Sequence, residues 1–192
     1  MNPSERRLSD GPAMERFIAA MACRLADARR GGVPLQLVGI RTRGVPLAHR
    51  LARELTPLLD LEVPVGAVDI TLYRDDLGQA ERWPVLRGTE IPFDVDGADV
   101  VLVDDVLFTG RTVRAALNAI CDLGRPASVR LAVLVDRGHR ELPIQADVVG
   151  LEVPTARGDH VRVRLQPVDP QEEIVQLEAG PQAAPRDGRR QP

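Results

Sequence analysis

Val100-Val101-Leu102-Val103-Asp104-Asp105-Val106-Leu107-Phe108-Thr109-Gly110-Arg111-Thr112 is the stretch from which the rest of the chain is best understood. Its four consecutive aliphatic residues predict a strand buried on both faces, running from Asp99 to Asp104. The strand ends in two adjacent carboxylates. Thr109-Gly110-Arg111-Thr112 then opens a helix whose apolar stripe is Val113, Ala116, Leu117, Ile120 and Leu123, with Gly124 and Pro126 as stop signals. The first N–H groups of a helix have no intrahelical acceptor and lie at the positive end of its dipole. With the Thr109 and Thr112 hydroxyls they make an anion cradle. The paired carboxylates are suited to accept hydrogen bonds from a vicinal diol. Cradle and diol receptor are separated by about the length of a ribose 5-phosphate. A plain strand–turn–helix with an aspartate cap accounts for one acid and one threonine, but not for two acids in succession after a buried strand.

Working outward, the same alternation of strands and helices recurs. Asp10-Gly11-Pro12 is a helix start, and Met14, Phe17, Ile18, Met21 and Leu25 follow at helical spacing up to Gly31-Gly32. Leu35–Ile40 reads as a buried strand, Thr42-Arg43-Gly44 as a loop, and a helix with Pro46 near its first turn carries Leu47, Leu51, Leu55 and Leu58. Val63–Leu72 is rich in strand formers. Tyr73–Glu90 is a polar excursion with little periodicity, a length of loop that is usually functional or disordered. Val129–Val135 predicts another buried strand, and shorter strands are expected near 147–153, 160–165 and 173–178. Residues 1–11 read as a loose tail and 179–192 as a disordered one, which leaves a single domain over 12–178. The fold class is α/β, a mainly parallel sheet with helices on both faces. Ligands of such sheets sit beyond the carboxyl ends of the strands, so the loops of interest follow Ile40, Leu72, Val103 and Val135.

Composition narrows the chemistry. The 192 residues carry 28 acidic and 25 basic side chains, and every one of the 25 is arginine. Without lysine there is no Schiff-base chemistry and no Walker-type lysine. Arginine clamps carboxylates and phosphates rather than moving protons, and a GC-rich coding bias accounts for its exclusive use. Aromatic residues make up 3% of the chain, which argues against a stacked single-strand binder, and the net charge of −3 against a globally basic one. Cys23 and Cys121 fall in apolar helical patterns and are expected to be buried thiols, with no zinc spacing. No apolar run approaches the ~18 residues of a membrane span, and no signal peptide opens the chain, so the cytoplasm is the default location.

The thirteen residues from Val100 to Thr112 resemble the PRPP-binding motif of type I phosphoribosyltransferases. The likeness extends through Leu37–Gly44, Asp69–Asp76 and Leu131–Ile144. Together these segments resemble the PyrR family, pyrimidine-operon attenuators that are also uracil phosphoribosyltransferases; the resemblance spans roughly residues 12–178. It implies the type I phosphoribosyltransferase fold with a flexible lid over about 73–90. It also implies transfer of the phosphoribosyl group of PRPP to uracil, Mg²⁺ carried mainly by substrate oxygens and waters near Asp104 and Asp105, and assembly as a homodimer or larger homo-oligomer.

By the same resemblance, Asp104 and Asp105 hold the ribose hydroxyls, with Asp105 the base if one is needed. Val106, Leu107, Phe108, Thr109, Gly110, Arg111 and Thr112 hold the 5′-phosphate end of PRPP. Thr42 and Arg43 hold the diphosphate, and Arg74 and Arg87 from the lid are further contacts. Val135, Asp136, Arg137 and Val161 surround uracil or the nucleotide; His139, His49 and His160 read as hydrogen-bonding or structural residues. The rival reading is a UMP- or UTP-sensing regulator that binds a leader mRNA hairpin and has little enzymatic activity. Arg41, Arg140 and Arg157 could supply its basic face. Against this, Gln145, Leu151 and Glu152 stand where the family commonly carries arginine, lysine and an uncharged residue, and each lost cation weakens phosphate contacts. A salvage enzyme for a purine base is a third, more distant reading.

Overall fold

The structure is a computed structural model, and it describes residues 5–29, 31–70 and 88–179. In chain order the elements are β1 (Glu5–Asp10), α1 (Gly11–Asp27), β2 (Leu35–Ile40), α2 (Gly44–Leu59), β3 (Val65–Val68), β4 (Asp99–Leu107), α3 (Arg111–Leu123), β5 (Ser128–Asp136), β6 (Val148–Glu152), β7 (His160–Arg164) and β8 (Glu173–Leu177). Strands β3-β2-β4-β5-β6 form a five-stranded sheet whose neighbours all run parallel. The central strands are buried on both faces, which explains their unbroken aliphatic runs. Side chains alternate across the sheet. Leu35, Leu37, Val101 and Val103 pack with α1 and α2 on one side, and Val38, Ile40, Val100 and Leu102 with α3 on the other. α1 starts where expected: Asp10 caps it by accepting from the Ala13 N–H at 3.0 Å, and Pro12 occupies its first turn.

A second, three-stranded antiparallel sheet, in the order β1-β8-β7, covers the α1/α2 side of the molecule. Val163, Leu165 and Ile174 join it to the same apolar cluster as Met14, Ile18 and Leu47. Its first strand corrects the reading of residues 1–11 as a tail: Glu5–Asp10 pairs with β8 from Glu5↔Leu177 to Asp10↔Glu173. Glu-Arg-Arg-Leu-Ser-Asp has one apolar residue, because an edge strand needs little burial when a distant partner supplies the ladder.

Other expectations shift as well. β4 runs on to Leu107, past both acids, because it keeps pairing with β5 through Val106↔Val135 and Leu107↔Asp136. β3 is shorter than Val63–Leu72, although Ile70 beyond it is still buried. Leu58 and Leu123, at helix ends, are 50% and 41% exposed rather than core. Both cysteines are exposed, a correction of the buried-thiol reading: Ala22 and Ile120 take the inward position, and the next residue is turned about 100° away. The lid loop up to residue 87, Arg74 and Arg87 within it, and residues 180–192 lie outside the described residues. No helix among the described residues is long and apolar enough to cross a membrane.

Candidate active site

The parallel sheet delivers the predicted residues to one end. The Arg41–Gly44 loop follows β2, the acid pair lies in the last half of β4, the Phe108–Gly110 turn leads into α3, and Asp136–Arg140 follows β5. Close backbone approach sets the first of these. A Cβ placed on Gly44 would lie 2.3 Å from the Val103 carbonyl oxygen, and one on Gly39 would lie 2.5 Å from Val45 Cα. Only glycine at both positions lets α2 start directly against β2 and β4. The Arg41–Thr42 peptide is cis.

Asp104 is buried, 6% exposed, and its Oδ1 accepts the Asp105 N–H at 2.9 Å. Burial, and then repulsion from Asp105, pushes its carboxyl well above the ordinary value. Burial also raises Asp105, while its hydrogen bond with Asp104 and the charge of Arg43 pull it down in part. A diol or a hydrated cation would offset the desolvation both acids suffer. Arg43 stands across a cavity of about 350 Å³ that it lines with Asp105, His160, Val161 and Arg162. Thus Val161, 56 residues on from Asp105 in sequence, is brought to the acid pair. Arg43 also forks onto Asp169, with Nε donating at 2.8 Å and Nη2 at 2.9 Å, and this bond raises its pKa and lowers that of Asp169.

The N-terminus of α3 follows the acid pair directly. Gly110 caps α3 at φ 91°, a left-handed conformation that glycine adopts freely. The first intrahelical bond runs from the Arg114 N–H to the Gly110 carbonyl at 2.9 Å, so the amides of Arg111, Thr112 and Val113 have no acceptor within the helix. No acidic side chain occupies the first turn. Thr109 and its carbonyl brace the loop: the Arg111 N–H donates to Thr109 Oγ1 at 3.4 Å, and the Glu141 and Leu142 N–H groups donate to Thr109 O at 3.0 and 3.2 Å. The Arg111 side chain reaches outward to Glu141, with Nε 2.9 Å from Oε2.

Phe108 joins this cradle to the region after β5. The Arg137 guanidinium lies 4.0 Å over the Phe108 ring, and His139 meets that ring edge-on at 6.2 Å. Arg137 is only 4% exposed, and burial lowers its pKa against the opposing charge of Asp159. Its Nη2 donates to Ala156 O and Arg157 O at 3.1 and 3.3 Å. Beside it opens a basin of about 850 Å³ lined by Asp136, Arg137, His139, Ile144, Glu152 and Thr155 among others. Val135 and Leu107 are fully buried core side chains, so either can meet a ligand only through its backbone. The His139 Nε2–H donates to Thr155 O, 2.7 Å away, as a hydrogen-bonding residue; His49 and His160 are exposed.

The three arginines expected on a basic face are all engaged. Arg41 donates to Gly88 O at 2.6 Å and pairs with Glu90 at 3.3 Å. Arg140 donates to the carbonyls of Phe108, Gly138 and Ile144 and pairs with Asp136. Arg157 pairs with Glu141. Asp169 and Asp159 are site residues that the motif reading missed. Asp159 lies just before β7 and Asp169 between β7 and β8, and nothing local in the sequence connects them to the acid pair. Among the described residues no three His, Cys, Asp or Glu side chains gather as a metal cage. Two hard carboxylates beside a phosphate cradle suit a cation carried mostly by substrate oxygens and water.

An acid pair, a helix N-terminus and an arginine come together at the carboxyl end of a parallel sheet, and the family model for the phosphoribosyl transferase domain matches residues 4–167. Solved structures agree in fold. A hypoxanthine phosphoribosyltransferase of Trypanosoma cruzi superposes with a TM-score of 0.70 at 22% identity over 93% of each chain. The T. cruzi enzyme in complex with the product IMP gives 0.67 at 22% identity, over 92% of this chain and 95% of the other. In sequence the chain is 54% identical over 167 residues to the bifunctional protein PyrR of Thermus aquaticus, covering 87% of this chain and 92% of that one. It is 53% identical over 178 residues to the same protein of Pelotomaculum thermopropionicum, covering 93% and 98%. The chain belongs to the PyrR family.

Proposed function

We propose that the chain transfers the phosphoribosyl group of PRPP to uracil, giving UMP and diphosphate. The observation that carries this reading is the acid pair, Asp104 buried and Asp105 half-buried, whose Asp105 shares a cavity with Arg43 and whose strand leads directly into the N-terminus of α3. In the reaction the bond from the anomeric carbon to diphosphate breaks and a bond to the uracil ring nitrogen forms, with loss of that nitrogen's proton. Positive charge builds on the sugar and negative charge on the leaving group. The amides of Arg111, Thr112 and Val113, with the Thr109 and Thr112 hydroxyls, anchor the 5′-phosphate. Asp104 and Asp105 hold the ribose hydroxyls, and Thr42 and Arg43 meet the diphosphate. Asp105, raised by burial, is a better base for the ring proton than an exposed aspartate. Bound Mg²⁺, held near Asp104 and Asp105 through water and substrate oxygens, would neutralise charge on the diphosphate. Asp136, together with Arg137 stacked on Phe108, bounds the uracil side.

Incubation of the protein with uracil, PRPP and Mg²⁺ should yield UMP, and an Asp104→Asn/Asp105→Asn double variant should not. No UMP from the wild type sinks the reading, and a competing product with hypoxanthine or guanine favours a purine enzyme. The name of its relatives, a bifunctional protein, supports a second role as a UMP- or UTP-responsive binder of a leader mRNA hairpin. The engagement of Arg41, Arg140 and Arg157 weighs against it. Titration of a labelled hairpin with and without UMP at several salt concentrations decides this, and binding no tighter than to a scrambled hairpin excludes it. A cytoplasmic homodimer or larger homo-oligomer completes the proposal, with sedimentation as its check.

A further inference from the structure

Arg43 is the residue proposed to meet the diphosphate, yet two of its donors are already committed. Nε and Nη2 form a parallel fork onto Asp169 at 2.8 and 2.9 Å. A guanidinium has five N–H bonds, so three are left on the Nη edge for another acceptor. That residue lines the same cavity as Asp105.

Asp169 is itself firmly placed. Its Oδ2 accepts the Leu165 N–H at 2.9 Å, and its own N–H donates to Leu165 O at 2.9 Å, which closes the turn between β7 and β8. Arg50 of α2 ties the same turn down. It pairs with Glu15 of α1 at 2.8 Å, reaches Gln166 O at 3.3 Å and contacts Glu172. The anchor of Arg43 is therefore fixed to both helices on that face of the sheet. If Asp169 lost its charge, Asp105, which lines the same cavity, would be the carboxylate left acting on Arg43. The guanidinium would then swing onto the acid pair, where the ribose hydroxyls belong.

We propose that Asp169 is a positioning residue: it holds Arg43 off the Asp104–Asp105 pair and presents the free edge of the guanidinium to the diphosphate of PRPP. The proposal rests on the phosphoribosyl-transfer reading of the site. The turn between β7 and β8 thereby enters the reaction without touching the substrate.

Asp169→Asn is the informative change, because its amide oxygen can still accept the Leu165 N–H while the charged fork is lost. Its KM for PRPP should rise about 10-fold while that for uracil stays within about 2-fold. Calorimetric affinity for diphosphate with Mg²⁺ should fall by a similar factor. Asp169→Glu, which keeps the carboxylate, should recover part of that affinity, and it carries the test if the asparagine variant does not fold. Unchanged or tighter diphosphate binding in a folded Asp169→Asn protein overturns the proposal, as does an equal rise in both KM values. Weaker diphosphate binding alongside a wild type that makes no UMP would uphold the positioning role and reject the uracil reaction instead.

Discussion

Replacing Gly44 by alanine tests how closely the Arg41–Gly44 loop is set against the sheet. The added Cβ would sit 2.3 Å from the Val103 carbonyl oxygen and 3.4 Å from Asp104 Cα. A carbon approaches a carbonyl oxygen to about 3.3 Å, so the start of α2 must move by about 1 Å. No left-handed backbone is involved at this residue, so the perturbation is spatial. Forcing one methyl group into a packed contact costs about 1–3 kcal/mol. At about 2–4 °C per kcal/mol for a chain of this size, the melting temperature should fall by roughly 2–12 °C. Catalysis should suffer more, because a 1 Å displacement of a substrate-positioning group costs about 10²-fold, and Arg43 is carried by the displaced turn. Thermal denaturation and initial rates of UMP formation at varied PRPP measure both. Gly31→Ala is the control: nothing lies within 4 Å of its added Cβ, and its effect should be within about 0.5 kcal/mol. A Gly44→Ala protein that melts with the wild type and keeps its KM for PRPP refutes the reasoning.

Asp104 makes stability depend on pH. Burial holds its folded carboxyl above the unfolded value of about 3.9, so its stabilising contribution is fully present below that pH and is lost as pH rises through the folded value. In magnesium-free buffer the melting temperature of Asp104→Asn relative to wild type should therefore climb as pH rises above about 4, and a constant difference contradicts the burial argument. Arg137→Ala removes a buried guanidinium from the Phe108 ring and from two carbonyls. The KM for uracil should rise about 10-fold with that for PRPP within about 2-fold, and equal changes in both would detach Arg137 from the base side. Removing residues 1–9 strips β1 from β8 and the Arg7–Glu173 pair with it. The melting temperature should drop by several degrees, whereas an unchanged value would restore the reading of a loose tail.

What the sequence carried and what it withheld follow from the range of the interactions. Val100–Val103 and the periodic leucines of α2 are local patterns, and the elements they predict are present within a few residues. Asp104 and Asp105 read as the end of a strand because charge interrupts an apolar run. Their strand continues because the ladder with β5 reaches Leu107↔Asp136. Glu5–Asp10 has no local pattern at all, and only its pairing with β8 makes it a strand. The cradle was legible because its parts are neighbours in sequence. The Arg43–Asp169 fork was not, since 126 residues separate its partners and an Asp-Pro turn gives no hint of an arginine across a cavity. The arginines of the supposed basic face were visible as residues, but the acids and carbonyls that occupy them belong to other segments.

The antiparallel sheet sets a timetable for the growing chain. Arg7 and Glu173, which pair across it, are 166 residues apart. At about 5–20 residues per second of synthesis, β1 waits roughly ten to thirty seconds for its partner strand. Its exposed Glu5, Arg6 and Arg7 suit that wait, because charged edges resist pairing with other chains. β2, β4 and α3 emerge well before β7 and β8. The residues of the acid pair and of the α3 N-terminus thus leave the ribosome before Val161 and Asp169, and Arg43 gains its anchor only once the turn between β7 and β8 has emerged.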